Sequence, residues 1–573
     1  MSENFFLDNP DLQFRLEHLD LAEVLERKEK GFSEWETYPT APRNYADAVD
    51  NYRIVLEVLG EICGERVAPR AAEADEEGAH FEDGQVTYAA ATLDAIAALR
   101  QAELFGAMLS REYGGLNLPE SVYQMMVEMV ARAESGLMTV YGLQEIASLL
   151  EEHGDPETKA RVLPRFSRGE VSGAMVLTEA EAGSDLGAVA TRATLDEATG
   201  QWHLNGVKHF ITNGLADVSL VLARSEEGST DARGLSMFLV ERDDTVKIRR
   251  IENKMGIHAS PTCEIQYTNT PAILVGKRRF GLMRYAMNLM NGARLAVAAQ
   301  ALGIAEAAYR EADKYSRERV QFGRSIRSLP AVGRLLLSMK VDLEATRALL
   351  AETGRWVDLW KVHESALAEG GPDADPALRA RHKLAQALSE TLTPMVKYCA
   401  TEMGNRVCYQ AMQVHGGVGY MHEFNIERLF RDVRITNIYE GTSQLQVVAA
   451  IGKVLNRSLD PLLVEWQAAE YPADMAAERA LLVELTGLLD QAVGGLKAVP
   501  ERDRVDYYAV DLVEMAISVV GGWLLLRDTN VAEHKKPVAR AYVASIASKV
   551  RAAAEVVLAA SPVPLEAIPV LLQ

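Results

Sequence analysis

The sequence predicts a multidomain α+β protein in which a central β domain is preceded and followed by helical domains. A chain of 573 residues is too long for one hydrophobic core and predicts two to four domains. Apolar residues recur at helical spacing up to about Glu170, and from Val171 they give way to short apolar runs separated by turn residues. Helical spacing returns at about Leu282, and these changes of pattern define the predicted domains.

The first two segments are an N-terminal extension, residues 1–45, and a helical domain, residues 46–170. The extension is polar with scattered aromatics, and its stretch Tyr38-Pro39-Thr40-Ala41-Pro42 is typical of a linker. An all-α domain after it is predicted by apolar residues at helical spacing, namely Tyr52, Val55, Leu56, Val58, Leu59 and Ile62.

Residues 171–281 are predicted to form an antiparallel β domain. The segment lacks a periodic stretch of helix length, and Asn205-Gly206 predicts a turn inside it. The strands are predicted at the apolar runs Met175-Val176-Leu177, Trp202-His203-Leu204, Ser219-Leu220-Val221-Leu222, Met237-Phe238-Leu239-Val240 and Glu264-Ile265-Gln266-Tyr267.

Two further helical domains are predicted, residues 282–455 and residues 456–573. Gly370-Gly371-Pro372-Asp373 predicts a break between two long helices of the first. The second carries apolar stripes that must be buried, either on the rest of the protein or in a membrane. Its acidic and basic residues are mixed, which favours packing on the protein.

Composition narrows the class of protein. The formal charge of -21 argues against a nucleic-acid or anionic-membrane partner. Four cysteines without a CxxC pair indicate a reducing compartment, and the acidic N-terminus is unlike a targeting peptide, so a cytoplasmic location is expected. The longest apolar run, Ala516 to Leu526, is shorter than a membrane-spanning helix requires, so no integral membrane segment is expected.

Several common sites are not encoded. The chain has no GxGxxG after a strand and no GxxxxGK[ST], which argues against a Rossmann-type dinucleotide site and a P-loop. It has no HExxH or clustered ligand spacing, so no metal site is expected. It also lacks GxSxG, the serine hydrolase motif.

The stretch from Ile438 to Gln444 places a carboxylate, Glu440, directly before a glycine, and such a glycine lets another molecule approach the backbone. Four companion motifs occur elsewhere in the chain: Thr178 to Asp185, Lys208 to Gly214, Arg317 to Gly323 and Gln413 to Tyr420. In this order and spacing, from about Ala46 to Val454, the chain resembles the acyl-CoA dehydrogenase family of flavoenzymes. The resemblance implies a four-helix bundle in residues 282–455.

The resemblance also implies FAD as cofactor. Thr212 would donate toward the flavin ring, which Phe210 and Ile211 would flank, and Arg319 with Gln413 would reach the adenine half on a neighbouring subunit. Two positions depart from the family pattern: Ala180-Glu181 implies a turn of different shape, and Leu329-Pro330 implies that at least one flavin hydrogen bond is missing or replaced. The full implied set is Met175, Leu177, Thr178, Gly183, Ser184, Phe210, Ile211, Thr212, Arg319, Gln321, Phe322, Gln413, Gly416, Gly417, Thr442 and Gln444.

For catalysis, the resemblance implies that Glu440 removes the α-proton of an acyl-CoA while FAD accepts the β-hydride. Some members carry the base on the helix of Asn291 and Arg294, one residue before the arginine, but Ala293 stands there and cannot take a proton. The family's substrate-binding positions correspond to Ser184, Asn291, Arg294 and Gly441, with Tyr141 near the pocket floor.

The reaction partners follow the same resemblance. Electrons would pass to an electron-transfer flavoprotein, although an acyl-CoA oxidase that uses oxygen remains an alternative, as does a DNA-associated flavoprotein of the same fold. The acyl group stays open: a bulky Tyr141 favours short or medium chains, whereas the length resembles very-long-chain and 3-methylmercaptopropionyl-CoA dehydrogenases. The extra C-terminal helices are expected to limit assembly to a homodimer.

Overall fold

A computed structural model describes residues 3–371 and 375–572. Its α-helices are α1 (Pro10–His18), α2 (Ala22–Lys28), α3 (Tyr45–Ile62), α4 (Ala71–Glu77), α5 (Ala90–Gln101), α6 (Glu120–Ala133), α7 (Ser135–Gly142), α8 (Ile146–His153), α9 (Pro156–Ser167), α10 (Met287–Glu318), α11 (Pro330–Gly370), α12 (Pro376–His415), α13 (Ile426–Val433), α14 (Ser443–Leu455), α15 (Asp460–Ala468), α16 (Ala476–Lys497), α17 (Arg502–Tyr507), α18 (Ala509–Asp528), α19 (Lys536–Ala559) and α20 (Val563–Leu571).

The strands are β1 (His80–Glu82), β2 (Gln85–Thr87), β3 (Gly173–Val176), β4 (Arg192–Asp196), β5 (Gln201–Thr212), β6 (Val218–Arg224), β7 (Leu235–Glu241), β8 (Val246–Ile251), β9 (Thr262–Val275), β10 (Val320–Gln321) and β11 (Arg324–Ser325). This order confirms the predicted α+β class, with helical regions on either side of a central β domain and extra C-terminal helices. The helical domain before it also holds the β1–β2 hairpin, which the sequence did not predict.

The chain forms two compact units. Among the described residues, unit 1 takes in the chain up to Gln13, then Lys28–Ile304 and Glu427–Ile435. Unit 2 takes in Phe14–Arg27, Ala305–Ile426 and Thr436 onward.

The helices of unit 1 begin where polar side chains cap them. Asn44 accepts a hydrogen bond from the Asp47 N–H at the start of α3, and Asp155 accepts one from the Thr158 N–H at the start of α9. These bonds satisfy N–H groups that have no partner inside a helix.

The seven-stranded sheet of unit 1 runs β3-β6-β4-β5-β9-β7, with β8 on β9, and it closes because β7 also pairs with β6. Most pairings are antiparallel, as predicted, but β3 and β4 each pair with β6 in parallel. Side chains alternate along β6: Leu220 and Leu222 join a core that includes α8 and α9, whereas Val221 and Ala223 join the core with Trp202 and Phe238. β4 and β8 were not predicted.

The turn predicted at Asn205-Gly206 is wrong, because both residues lie inside β5. The register against β9 shifts between Leu204 and Asn205. A Cβ at Gly206 would lie 2.4 Å from the Thr191 Oγ1 atom. The glycine therefore permits a close approach to Thr191, the residue before β4, and does not mark a chain reversal.

The described residues of unit 2 form helices, apart from their connecting loops and the β10–β11 hairpin. Its longest helices, α11 and α12, pack together, and α14 and α18 pack on them. α11 ends at Gly370 and α12 begins at Pro376, so the predicted break exists, although Pro372 and Asp373 lie outside the described residues. The C-terminal helices α16, α18 and α19 pack on one another, and the Trp523 Nε1 atom donates to Thr486 Oγ1 at 2.9 Å.

Buried ion pairs fasten the extra segments of unit 2. Arg15 on α1 donates to Asp528 at the end of α18 with an Nη1–Oδ1 distance of 2.9 Å, and both side chains are almost fully buried. The Lys535 Nζ atom lies 2.8 Å from Glu344 Oε2 on α11. Part of the N-terminal extension is therefore a folded element of unit 2.

The prediction about the apolar run Ala516 to Leu526, which lies in α18, needs correction. α18 is long and apolar enough to cross a membrane, so the argument that its apolar run is too short does not hold. Most of its side chains, including Trp523 and Leu524, are buried within the protein, as in a core helix. The bent pair Glu533–Ala559 and Val563–Leu571 also meets the same test of length and composition.

Candidate functional site

The loop after β3 presents open main chain. Glu179 and Ala182 exchange N–H to carbonyl hydrogen bonds of 3.1 Å, which fold the segment back on itself. Gly183 and Ser184 are exposed beyond this bridge, and a Cβ at Gly183 would meet no atom within 4 Å. A ligand can therefore reach the backbone here, as expected for Gly183 and Ser184. Leu177 is buried, and Met175 and Thr178 are half-buried.

The end of β5 lies beside this loop. The His209 N–H donates to the Thr178 carbonyl at 3.0 Å, and the strand bulges between Lys208 and Ile211. Phe210, inside the bulge, has a φ of 59°, which is uncommon for a bulky residue, and its side chain is 60% exposed. Ile211 is buried and Thr212 is half-buried. A strained, exposed aromatic residue is typical of a ligand site.

A buried ion pair holds this loop from beneath. The Lys208 Nζ atom, which has no exposed surface, donates to the Leu177 carbonyl at 2.8 Å and lies 2.9 Å from Glu179 Oε1. Glu179 also accepts from the N–H groups of Ala190 and Thr191, at 2.7 and 3.0 Å. Burial lowers the pKa of Lys208 to about 8. Burial alone would raise the pKa of Glu179, but Lys208 and these hydrogen bonds bring it below its ordinary value.

Besides Ser184, the expected substrate residues of unit 1 lie on two helices. Near the start of α10, the Arg294 Nη1 atom donates to Asn291 Oδ1 at 3.0 Å. A Cβ at Gly292 would lie 1.9 Å from the Glu145 Oε1 atom, so a carboxylate packs against this helix. Tyr141 on α7 is buried, and its hydroxyl donates to the Leu104 carbonyl at 3.0 Å. Glu145 was not anticipated as a site residue.

In unit 2, Glu440 lies in the loop before α14. Its φ of 53° and the φ of 90° at Gly441 are both left-handed, a conformation that glycine adopts readily and glutamate rarely. Thr442 caps α14, because its Oγ1 atom accepts from the Leu445 N–H at 3.4 Å. Glu440, Gly441 and Thr442 are half-buried, and Gln444 is exposed.

Three side chains from α12 and α14 hold the Glu440 loop in place. The Lys397 Nζ atom donates to the Gly441 carbonyl at 2.7 Å. Gln446 Nε2 donates to the carbonyls of Glu440 and Gly441 at 3.2 and 3.0 Å. Glu402 accepts from the Asn437 amide at 3.0 Å and from the Ser443 hydroxyl. The left-handed backbone is thus fixed by side chains that are themselves largely buried.

The motifs expected at the adenine half occupy two turns of unit 2. Phe322, with a φ of 52°, and Gly323, with a φ of 75°, form the two-residue turn between β10 and β11. Stacking of Tyr315 on His415, with 4.6 Å between ring centroids, joins the ends of α10 and α12. This contact brings the two motifs together. Arg319, Gln321, Phe322, Gln413, Gly416 and Gly417 are all exposed.

The structure therefore groups the expected residues in two sets, one in each unit. It adds supporting residues that sequence reasoning did not assign a role: Lys208, Glu179 and Glu145 in unit 1, and Lys397, Glu402 and Gln446 in unit 2. Lys208 and Glu179 stand inside the quoted motifs and were within reach of the sequence. Over residues 3–371 and 375–572, no group of three His, Cys, Asp or Glu side chains is arranged to hold a metal ion.

Comparison with known families covers most of the chain. Models described as the N-terminal, middle and C-terminal domains of acyl-CoA dehydrogenase match residues 50–170, 174–270, and 283–369 with 375–455. A further model, described as acyl-CoA dehydrogenase C terminal, matches residues 459–561.

Individual relatives agree with these matches. The chain is 34% identical over 474 residues to 3-methylmercaptopropionyl-CoA dehydrogenase of Ruegeria pomeroyi, covering 78% of this chain and 76% of that one. A structure described as the electron transferring flavoprotein of Acidaminococcus fermentans matches with 31% identity and a TM-score of 0.60, covering 70% of this chain and 96% of that chain.

A structure of acyl-CoA dehydrogenase complexed with FAD from Bacillus anthracis shares the fold, with a TM-score of 0.74 and 23% identity over 89% of this chain and 88% of that chain. With the family models, these relatives show that the chain belongs to the acyl-CoA dehydrogenase family of oxidoreductases.

Proposed function

We propose that this protein is an FAD-dependent dehydrogenase that converts an acyl-CoA thioester to the trans-2-enoyl-CoA, with Glu440 as the base. Family membership supports the reaction class. The observation that carries the assignment is the left-handed Glu440, whose loop is held by Lys397 and Gln446. A strained backbone that surrounding hydrogen bonds hold in place is typical of a catalytic loop.

The residues of the structure fit FAD. The bulged Phe210 offers an exposed aromatic face, and the open main chain at Gly183 can approach a pyrophosphate. A Cβ at Gly416 or Gly417 would meet no atom within 4 Å, so the second motif is open as well. We assign Met175, Leu177, Thr178, Ser184, Ile211 and Thr212 to the flavin half, and Arg319, Gln321, Phe322, Gln413, Thr442 and Gln444 to the remainder. Bound FAD supplies the acceptor for the β-hydride.

The protein's own part of the reaction is proton removal and positioning. Glu440 takes the α-proton of the thioester, and the electrons of that C–H bond form the new double bond as the β-carbon loses its hydride. The Glu440 main-chain N–H donates to the thioester oxygen, where negative charge develops. Asn291 and Arg294, linked by their 3.0 Å hydrogen bond, orient the acyl arm. Gly441 leaves room for the substrate beside the base, and Tyr141 limits the depth of the acyl site.

Replacing Glu440 by glutamine tests the assignment. We expect Glu440→Gln to retain FAD and to lower the rate of anaerobic flavin reduction by roughly 10²–10⁴-fold, the usual contribution of a positioned base. Glu145→Gln is the matched control, because Glu145 is the carboxylate that packs against Gly292. If Glu440→Gln keeps more than about a tenth of the rate while Glu145→Gln loses it, Glu145 is the base.

The electron acceptor is proposed to be an electron-transfer flavoprotein, in line with the flavoprotein structure that the chain resembles. The oxidase alternative makes a different prediction, since the reduced enzyme would then be reoxidised rapidly by oxygen. Stopped-flow reoxidation with each acceptor separates the two, and rapid hydrogen peroxide formation would exclude the dehydrogenase assignment.

We also propose that the protein is a cytoplasmic homodimer. Support for dimer formation comes from Phe322, 90% exposed, and Tyr420, 78% exposed, near the adenine motifs. The C-terminal helices, packed on α11 and α14, are proposed to stop assembly at that stage. Light scattering of the intact chain should report a dimer, and a stable tetramer would contradict this role for the C-terminal helices.

A further inference from the structure

Both ends of the Glu440 loop meet on one carboxylate of α12. The Ser443 N–H donates to the Asn437 carbonyl at 3.2 Å, so residues 437–443 form a closed loop that contains Glu440. The Glu402 Oε1 atom accepts from the Asn437 amide at 3.0 Å and also from the Ser443 hydroxyl. Because the two ends share this acceptor, the position of Glu402 determines where the loop is held.

A short stretch of α12 carries both Glu402 and a second support of the loop. Lys397 donates to the Gly441 carbonyl at 2.7 Å, and Glu402 lies five residues further along the helix. Pro394, which lies inside α12, removes a main-chain hydrogen bond about one turn before Lys397. This part of α12 therefore depends more strongly on the contacts of its side chains.

Between these two supports, Tyr398 connects α12 to the C-terminal helices. It precedes Glu402 by four residues, a spacing that makes the two side chains neighbours on the helix surface. The buried Tyr398 donates its hydroxyl to the Glu514 Oε1 atom on α18 at 2.7 Å. Burial, and then this hydrogen bond, raise the pKa of Tyr398, so the hydroxyl stays protonated and remains a donor. A carboxylate acceptor makes the hydrogen bond stronger than a neutral one would.

α18 is a firmly held helix that contacts both supports of the loop. It packs on α12 and on α14, which begins at Ser443. Near its other end, the Arg527 Nη2 atom lies 2.7 Å from Glu352 Oε2 on α11, and Asp528 accepts from Arg15. A helix fixed in this way at both ends gives Tyr398 a rigid point of attachment.

We propose that Tyr398 and Glu514 are positioning residues through which the C-terminal helices hold the Glu440 loop in its reactive geometry. The inference rests on the proposed function, because it takes Glu440 to be the base. Both residues act through the turn of α12 whose Lys397 and Glu402 contact the loop. Proton removal requires the base at a defined distance from the α-carbon, so a small shift of this turn slows the reaction.

Replacing Tyr398 by phenylalanine tests the proposal, because it removes the hydroxyl and leaves the ring in place. We expect Tyr398→Phe to lower the limiting rate of anaerobic flavin reduction roughly tenfold, with substrate affinity and FAD content unchanged. Tyr471→Phe is the matched control, since the Tyr471 hydroxyl donates to the Trp466 carbonyl at 2.8 Å just after α15. The control should keep its rate, and an equal loss in both variants would overturn the proposal.

Glu514 gives the reciprocal test, and because it is exposed its replacement leaves the core intact. Glu514→Gln keeps an oxygen that can accept from Tyr398 and should retain most of the rate. Glu514→Ala should lose about as much rate as Tyr398→Phe, and the double variant should be no slower than either single variant. Losses that multiply in the double variant would contradict a shared role of the two residues.

Amide hydrogen exchange measures the loop in the absence of substrate. The Ser443 N–H, which is bonded to the Asn437 carbonyl, should exchange at least about threefold faster in Tyr398→Phe than in Tyr471→Phe. Equal exchange in these two variants would overturn the proposal. Failure of the proposed function is distinguishable: no thioester would then bleach the flavin of the unaltered enzyme, whereas the difference in exchange would persist.

Discussion

Two loops of this protein are held by a buried lysine that donates to a main-chain carbonyl, one in each unit. Lys208 binds the Leu177 carbonyl at 2.8 Å under the loop after β3, and Lys397 binds the Gly441 carbonyl at 2.7 Å behind Glu440. The two differ in their surroundings: Lys208 is paired with Glu179, whereas a neutral amide, Gln446, shares the carbonyl with Lys397. The contacts of Lys208 thus include an ion pair with Glu179, and the Gly441 carbonyl accepts hydrogen bonds from two side chains at once.

The largest effect is expected from Lys208→Met. The substitution leaves the Glu179 carboxylate buried without its cation, and breaking a buried pair in this way lowers the free energy of unfolding by about 3–5 kcal/mol. Urea unfolding measures the loss, and FAD retention on gel filtration should fall with it. Adding Glu179→Gln removes the uncompensated charge and should recover part of the stability. No recovery in the double variant would mean that Lys208 acts through packing alone.

A smaller loss of stability is expected from Lys397→Met. Gln446 still donates to the Gly441 carbonyl, so the free energy of unfolding should fall by only about 1–3 kcal/mol. Because the left-handed backbone at Glu440 loses a constraint, flavin reduction by substrate should slow while FAD stays bound. Lys453→Met on α14, which breaks a partly exposed pair with Glu390, serves as the control. Equal loss of rate in both variants would remove the special role given to Lys397.

The smallest effect concerns pH and tests the ion pair itself. Burial lowers the pKa of Lys208 to about 8 in the folded protein, below the ordinary 10.5 that applies when the chain is unfolded. Between these values the unfolded chain binds more protons, so the Lys208 contribution to the free energy of unfolding rises with pH. Urea titrations at pH 8, 9 and 10 should show a shallower rise for Lys208→Met than for the unaltered chain. Identical slopes would contradict the lowered pKa.

The sequence predicted the fold class because spacing and turn residues differ between helical and strand regions, as between Tyr52–Ile62 and Met237–Val240. It did not predict β4 and β8. In both strands exposed polar residues alternate with the apolar ones, so neither contains a continuous apolar run. Gly206 was misread, because a close approach to Thr191 requires the same residue as a turn. Local pattern does not separate these two causes.

In the candidate site, too, the sequence predicted residues of local motifs and missed residues that reach the site through tertiary contacts. Glu440 was identified because its neighbours in the chain form a motif, and its left-handed backbone agrees with an unusual role. Lys397 and Gln446 are buried residues of helices, and their place in the helical pattern does not distinguish them from other buried helical residues. Glu145 reaches Gly292 from another part of the chain. Such contacts depend on tertiary packing, which a linear motif does not contain.

The ion pair between Arg15 and Asp528 joins residues 513 positions apart in the chain. During synthesis at about 5–20 residues per second, Arg15 is added to the chain roughly 25–100 s before Asp528. Throughout that interval α1 lacks its partner, and the ring of Phe14 lacks the His534 ring and the Lys535 ammonium that contact it in the folded protein. The helix α1 is thus completed only long after it is made, and the nascent chain carries an unfinished apolar surface until α18 emerges.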